Sequence, residues 1–365
     1  MEQLKINGFQ LFCVIFLFEL GSAVLVGLAK TAMQDGWITV GLAMICGLIL
    51  YLVYAKLYQT YPAVPLTNYI RKIWGNYIGW TIGLVYVISY IYSASRVLRD
   101  FEELLVTSAY SATSLLTVGI CMILCIMYAV YKGFEVFARV AELCFFIMFL
   151  VLIAIILLEF TGGLIHLENL QPILEHGWQP VFKALFPSSL TFPFGEMIAF
   201  TMILPYLHNQ NTAKRAGIAA VTASGLYFVL FKVINVSILG ADIVLRSAFP
   251  MLIAVSYINV ANFVQRLEAL VIISMVVLGF IKVAIYFFCA VIGSADLFHV
   301  KQSRKLIYPI GCIILVSSIV IAPNYVAHIN ESLKVVTYYL ALPLQIVIPI
   351  LLLITVWIKK KIKTT

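Results

Sequence analysis

The sequence predicts an all-α integral membrane protein in which ten transmembrane helices form two inverted halves. Composition is the first observation, because 63% of the 365 residues are hydrophobic and only 11% are charged, against about 25% charged in a soluble domain. The second is that long apolar runs recur along the whole chain, and the third is that one run in each half is interrupted. No polar segment is long enough for a second domain, so residues 1–365 are expected to form one polytopic domain.

Each of the ten apolar runs is close to the ~20 residues needed to cross ~30 Å of hydrocarbon. The first run is too long for the core of a cleaved signal peptide and carries Glu19, so it is expected to be the first span. The third run is compatible with a helix that continues through Phe101-Glu102-Glu103-Leu104. The predicted spans are 9–30, 37–58, 77–98, 114–131, 137–160, 184–207, 215–239, 267–295, 306–322 and 336–358.

The distribution of lysine and arginine predicts that both termini are cytoplasmic. With that orientation, 15 of the 24 basic residues fall on the inner side and 7 on the outer side, which is the expected asymmetry. Lys232 and Lys282 lie within spans. The net charge of +8 is therefore mainly an orientation signal, and the lysine-rich C-terminal tail favours contact with anionic lipid. Nucleic-acid binding is not expected.

The sixth span contains an unusual break at Phe192-Pro193-Phe194-Gly195-Glu196, followed nine residues later by Pro205. Proline removes a backbone donor, and a carboxylate near the bilayer centre costs about 2.5–3.5 kcal/mol on insertion scales. Such backbone is tolerated at membrane depth only where it is buried in protein or lines a wet cavity. The break therefore predicts a ligand site within the membrane.

The first span has a matching interruption at Glu19-Leu20-Gly21-Ser22-Ala23. Spans one to five and six to ten then correspond as a 5+5 repeat, at residues 9–160 and 184–358. Five spans per half invert the second half relative to the first. Paired interrupted spans are the sequence pointer to the midplane site of an inverted-repeat transporter fold.

The two interruptions are predicted to frame a small polar ligand. The candidate ligand-binding residues are Gly21, Ser22, Ala23, Phe194, Gly195 and Glu196. Freed backbone amides suit a carboxylate, while carbonyls and the Glu196 side chain suit an ammonium group. A purely structural role for Glu196, tying the broken helix to a neighbour, remains the alternative.

Two further ionisable residues are predicted at the same depth as Glu196. At 1.5 Å per residue, Glu19 lies roughly 15 Å in from the cytoplasmic face, Glu196 roughly 20 Å from the outer face, and Lys282 again roughly 20 Å deep. One interpretation is a buried ion pair between Glu19 and Lys282 that fixes helix packing. The other is that the Lys282 ammonium stands where a coupling cation would sit, with Glu19 as its partner.

No catalytic or cofactor signature occurs in the sequence. A P-loop and the GxSxG and HExxH motifs are absent, and the five histidines are scattered in connections. The seven cysteines fall in apolar runs without a nearby cluster of ligating residues. We therefore expect no enzyme activity, no cofactor and no metal.

At these residues the chain resembles the B subunits of bacterial spore germinant receptors, within the amino acid–polyamine–organocation transporter superfamily. The resemblance covers essentially the whole length and depends on the order of several short motifs. These are Phe9-Gln10 leading to Gly21-Ser22-Ala23, Asp35-Gly36-Trp37, Ser95-Arg96 with Arg99-Asp100-Phe101, Leu170-Gln171-Pro172-Ile173-Leu174, Phe192–Glu196 through Leu204-Pro205, and Arg266-Leu267-Glu268.

The resemblance implies a LeuT-like fold in the inner spore membrane, together with A-type and C-type partner subunits. It also implies that this subunit recognises a nutrient germinant such as an amino acid, sugar or nucleoside. A proton- or sodium-coupled amino acid transporter is the alternative, because receptor and transporter need the same site. A structural assembly subunit with an empty site is a third possibility.

Overall fold

The structure is a computed structural model that describes residues 5–62, 64–258 and 267–364. This part of the chain is helical, and proline or glycine marks most of its interruptions. The α-helices are α1 (Gly8–Val26), α2 (Gly36–Thr60), α3 (Leu66–Trp74), α4 (Asn76–Ser108), α5 (Leu115–Lys132), α6 (Phe134–Thr161), α7 (Gln179–Ala184), α8 (Thr212–Leu239), α9 (Ala241–Arg246), α10 (Pro250–Ser256), α11 (Glu268–Leu297), α12 (Ile307–Val320), α13 (Tyr325–Glu331) and α14 (Ile348–Thr364).

The predicted all-α membrane class is confirmed. Within the described ranges, nine helical runs are long and apolar enough to cross a membrane. The sixth predicted span is not one of the nine, because it is divided into pieces of nine residues or fewer. The third span is longer than its predicted core of 77–98, since α4 continues for 33 residues to Ser108.

Both predicted interruptions are present in the backbone. In α1, Gly21 leaves helical geometry with φ −3° and ψ −117°. The sixth span begins with α7, continues as a π-helical turn at Leu185–Ser189, and resumes as 3₁₀ segments at Phe194–Met202 and Leu204–Tyr206. Prolines without a backbone donor stand at each change of geometry, which explains why one continuous α-helix does not form.

A third interruption lies in the tenth span and was not predicted. Between α13 and α14, residues Ser332–Val347 are π-helical and contain Pro343. π-Helical segments are rare and frequently occur at functional sites. The tenth span therefore starts at Tyr325, eleven residues before its predicted start at 336.

The bundle has a buried centre and a lipid-facing periphery. In the most apolar window of α1, 78% of residues are buried, compared with 22% in α6. The central α1 packs against α6, α8 and α11. The outward face of α6 is instead apolar and exposed, with Leu143, Phe146 and Leu150 among its residues. The break in α1 therefore lies in the protein interior, where irregular backbone is tolerated in a membrane.

The N-terminal segment is tied to the end of the sixth span. Ile6 forms an isolated parallel β-bridge with Leu207. The Ile6 amide donates to the Tyr206 carbonyl at 3.0 Å, and the His208 amide donates to the Ile6 carbonyl at 3.0 Å. These bonds place the start of α1 beside the last 3₁₀ turn of the sixth span.

The two long connections pack onto the opposite end of the bundle. The 161–182 connection is held by Asp35, whose carboxylate accepts from the Leu174 amide at 2.9 Å, and by Gln34, whose amide donates to Glu175 at 3.0 Å. The second connection contains the short helices α9 and α10. Its last part, including Arg266 of the Arg266-Leu267-Glu268 motif, lies outside the described residues.

Candidate ligand cavity and charged core

A cavity of about 180 Å³ lies between the interrupted spans. Its walls come from α1, α4, the sixth span, α11 and the π-helical part of the tenth span. Each of these elements supplies hydroxyl groups to the wall, from Ser22, Ser89, Tyr90, Ser188, Tyr286 and Thr337. An engineered protein cavity of ~150 Å³ holds one benzene molecule. The size and polarity therefore suit a small polar compound of about six to ten non-hydrogen atoms.

Two of the six predicted ligand-binding residues line this cavity, namely Ser22 and Glu196. The Phe194 ring points away from it and packs edge-on against Phe228, with ring centroids 6.3 Å apart. Ala23 is buried in the hydrophobic core. The two breaks thus meet at the cavity, but most of their side chains serve packing.

The two predicted glycines permit close approach of other side chains. A Cβ atom at Gly21 would overlap the Lys282 side chain, and one at Gly195 would overlap the Gln345 amide oxygen. Gln345 itself lines the cavity. Gly21 therefore lets α11 pack closely against the break in the first span, and Gly195 lets the tenth span pack closely against the break in the sixth. Ligand contact by Gly21, Ala23, Phe194 and Gly195 stays a prediction.

Within the described residues, the Glu196 carboxylate is the only group at ion-pair distance from Lys282. Lys282 Nζ lies 2.5 Å from Glu196 Oε2, and the lysine side chain is fully buried. The Lys282 ammonium and the Glu196 carboxylate are close enough for an ion pair, but their relative orientation does not form a hydrogen bond. The ammonium also lies 5.0 Å from the Phe18 ring centroid and 4.8 Å from that of Phe192, which are cation–π distances.

The pairing of Lys282 differs from the expected Glu19–Lys282 ion pair. Glu19 is fully buried, and neither of its carboxylate oxygens has a hydrogen-bond partner among the described residues. The lysine stem crosses α1 at Gly21 and directs its ammonium towards the sixth span. Glu19 nevertheless lies near enough to interact electrostatically with both Lys282 and Glu196. We call these three residues the Lys282 triad.

Tyrosine hydroxyls satisfy carbonyl groups that the breaks release. Tyr54 donates to the Gly195 carbonyl at 3.2 Å and to the Gln345 carbonyl at 2.5 Å. Tyr58 donates to the Leu204 carbonyl at 2.9 Å, and Tyr86 donates to the Leu344 carbonyl at 2.5 Å. An unpaired backbone carbonyl is costly away from water. Spans two and three therefore stabilise the broken sixth and tenth spans.

A second charged cluster, which we call the Arg96 clamp, closes one end of the cavity. It comprises Tyr92, Arg96 and Asp100 of α4 with His328 and Glu331 of α13. Arg96 donates to the Tyr92 hydroxyl at 3.0 Å and to the His328 carbonyl, and its guanidinium lies 3.4 Å from Glu331. His328 Nε2 lies 3.0 Å from Asp100 Oδ1. The clamp therefore joins the third span to the tenth.

The Arg96 clamp was missed by sequence reasoning. The predicted third span ends at residue 98, whereas α4 continues to Ser108 and buries the side chains of both Arg96 and Arg99. The spacing of Arg96 and Asp100, one helical turn apart in an apolar helix, was the available signal. Their partner His328 is 228 residues from Asp100 and gives no local indication.

The sequence predicts no metal site. Within residues 5–62, 64–258 and 267–364, no group of three or more His, Cys, Asp or Glu side chains could hold a metal ion.

Two solved structures share the fold. A Na⁺-coupled sialic acid symporter aligns with a TM-score of 0.67 at 11% identity, covering 94% of this chain and 80% of the symporter. Mhp1, a nucleobase-cation-symport-1 family transporter, aligns with a TM-score of 0.63 at 14% identity, covering 91% and 75%. The predicted transporter fold is therefore confirmed.

The amino-acid sequence matches proteins of spore germination. Spore germination protein KB of Bacillus subtilis (strain 168) is 39% identical over 99% of this chain and 97% of its own length. Spore germination proteins YndE and B2 of the same organism are each 22% identical over 98% of this chain. The spore germination protein family matches residues 5–326. The chain belongs to this family of permease-like membrane proteins, which are not enzymes, as the resemblance in its sequence indicated.

Proposed function

We propose that this protein is the nutrient-sensing membrane subunit of a spore germinant receptor. A small polar ligand such as an amino acid binds in the cavity between the interrupted first and sixth spans. The observation that carries this proposal is Glu196, which is part of the break in the sixth span and faces a hydroxyl-lined cavity. Membership of the spore germination family supports sensing rather than catalysis.

The proposal includes the cellular setting. The protein lies in the inner spore membrane with both termini cytoplasmic, and it passes the signal to A-type and C-type subunits. Binding of the ligand shifts the interrupted first and sixth spans. The relatives' names support a role in germination, and the chain's excess of basic residues on one side supports the orientation.

The test uses spores that carry Glu196→Ala, with the amounts of this protein and its partner subunits verified. Loss of optical density is followed in response to amino acids, sugars and nucleosides. The expected result is a nutrient response that is lost or needs a higher dose, because the cavity loses its carboxylate. Glu159→Ala is the matched control, since Glu159 is a buried carboxylate of α6 outside the cavity wall. An unchanged dose response in the Glu196 variant would place the site elsewhere.

A working transporter is the second candidate, because the fold is that of Na⁺-coupled and cation-symport transporters. The purified chain alone would be reconstituted into liposomes with proton or sodium gradients and labelled amino acids. Gradient-dependent uptake would support transport and overturn the receptor-only proposal. Absence of uptake, together with a nutrient response that depends on Glu196, would support the receptor.

A further inference from the structure

The Lys282 triad contains one ammonium group for two carboxylates. Glu19 and Lys282 are fully buried, and the Glu196 side chain is only 12% exposed. An uncompensated buried charge is expensive in a protein interior. With Lys282 on Glu196, the carboxylate of Glu19 is left without an ion-pair or hydrogen-bond partner among the described residues. A buried carboxyl in that position avoids the cost by holding a proton. One additional cation would let Glu19 release that proton to solvent and pair with an ammonium.

The cavity exposes only one charged member of the triad. Glu196 lines the cavity, whereas Glu19 and Lys282 do not. A ligand in the cavity therefore meets a carboxylate and cannot reach the ammonium behind it. This end of the cavity selects a positive group, since a ligand carboxylate would face Glu196 without contact with Lys282.

The neighbours of Glu196 also suit an ammonium group. Phe192, whose ring lies 4.8 Å from Lys282 Nζ, is part of the cavity wall. Gln345 also lines the cavity, and its buried amide oxygen accepts no hydrogen bond from any residue that the structure describes. An ammonium has three donors and no acceptor, and it is attracted to aromatic faces. Carboxylate, amide oxygen and ring together form a cation subsite, and Lys282 already occupies its carboxylate and its ring from behind.

We infer that Lys282 is a resident substitute for the ligand's ammonium group. A ligand that carries a primary ammonium takes its place on Glu196, and Lys282 moves onto Glu19. Each ammonium then has its own carboxylate. Because the lysine stem lies against Gly21, this exchange also changes the packing at the break of α1. This inference rests on the proposed function of the cavity as a ligand site. It narrows the possible ligands to compounds with a primary ammonium.

The exchange predicts that Glu19 can replace Glu196 as the partner of Lys282. We would prepare the full chain in detergent as Glu19→Gln, Glu196→Gln and the double variant, and measure the midpoint of thermal unfolding, Tm. Each single variant leaves one carboxylate for Lys282, while the double variant leaves none. We expect the Tm loss of the double variant to be at least about twice the sum of the single losses. Additive losses would overturn the inference.

Adding Lys282→Met to the double variant tests whether its Tm loss comes from an unpaired ammonium or from general misfolding. Removing the ammonium should recover most of the lost Tm if Glu19 and Glu196 act by pairing with it. A Tm that stays low would contradict the inference.

The ligand class is tested with two probes of similar size, ethanolamine and ethylene glycol. Ethanolamine should raise the Tm of the wild-type chain more than ethylene glycol does, and Glu196→Gln should abolish the difference. Equal shifts, or a difference that survives Glu196→Gln, would overturn the cation subsite. These measurements need no germination response, so the exchange and the proposed sensory function can fail independently.

Discussion

The Arg96 clamp and the Lys282 triad are two buried charge clusters in one bundle, and they are bonded very differently. In the clamp, Arg96 has three partners on two helices, and Asp100 is bonded to His328. In the triad, Lys282 contacts one carboxylate, and Glu19 has no hydrogen bond among the described residues. The bonds of the clamp join α4 to α13, whereas the triad leaves Glu19 available for the exchange that we infer.

Removing the central cation of each cluster is the most direct test of this difference in bonding. Arg96→Met leaves the buried His328 carbonyl without its donor and removes the ion pair with Glu331, whose side chain is 35% exposed. We expect a loss of about 3 kcal/mol in unfolding free energy. Lys282→Met should cost less, because the carboxylates that it leaves can take up protons. The measurement is thermal unfolding of both purified variants in the same detergent.

Arg139→Ala is the control for that experiment. Arg139 pairs with Glu135 one turn away, and its side chain is 68% exposed. Such a pair contributes at most about 0.5 kcal/mol, so its Tm should be close to wild type. A Lys282→Met variant that loses as much stability as Arg96→Met would remove the distinction between the clusters.

The packing of the triad against α1 is tested by Gly21→Ala. The added methyl would overlap the Lys282 side chain, which must then shift or displace the break. We expect a loss of about 1–3 kcal/mol, as for other overpacked interiors. Gly41→Ala in α2 is the matched control, because its added Cβ meets only Val229 at 3.8 Å.

In that control, the helix propensity of alanine favours a small gain in stability. If the two glycine variants unfold at the same temperature, the lysine is free to move away from the break at little cost.

Tyr54→Phe is expected to have an effect similar in size to that of Gly21→Ala. The variant keeps the ring but leaves the Gly195 and Gln345 carbonyls without their donor. We expect a loss of about 1–3 kcal/mol in unfolding free energy. Tyr128→Phe is the control, because the Tyr128 side chain faces outward and is 63% exposed. Equal stability of the two variants would mean that water or other donors replace the Tyr54 hydroxyl at the breaks.

The sequence was sufficient for the class, the approximate positions of most spans and the two interruptions, because each follows from local composition. Proline, glycine and carboxylate within an apolar run identify a break wherever the run lies in the fold. The same reasoning passed over Pro343, which marks the interruption of the tenth span just as Pro193 marks that of the sixth. The division into two repeats at 9–160 and 184–358 stays a prediction.

The interaction partners of the charged residues and the directions in which side chains point could not be predicted from local composition. Depth estimates put Glu19, Glu196 and Lys282 at one level, yet the choice of Glu196 over Glu19 depends on how α1 and α11 are rotated. Phe194 and Glu196 are two residues apart, but one packs against Phe228 and the other faces the cavity. The clamp depends on a contact between α4 and α13 that no local pattern indicates.

The β-bridge between Ile6 and Leu207 has a mechanical consequence. It joins the N-terminal segment to the last turn of the broken sixth span by two backbone hydrogen bonds. A displacement of that turn pulls the residues before α1 in the same direction. Movement of the broken sixth span is therefore expected to be coupled through these two hydrogen bonds to the start of α1, the other interrupted span.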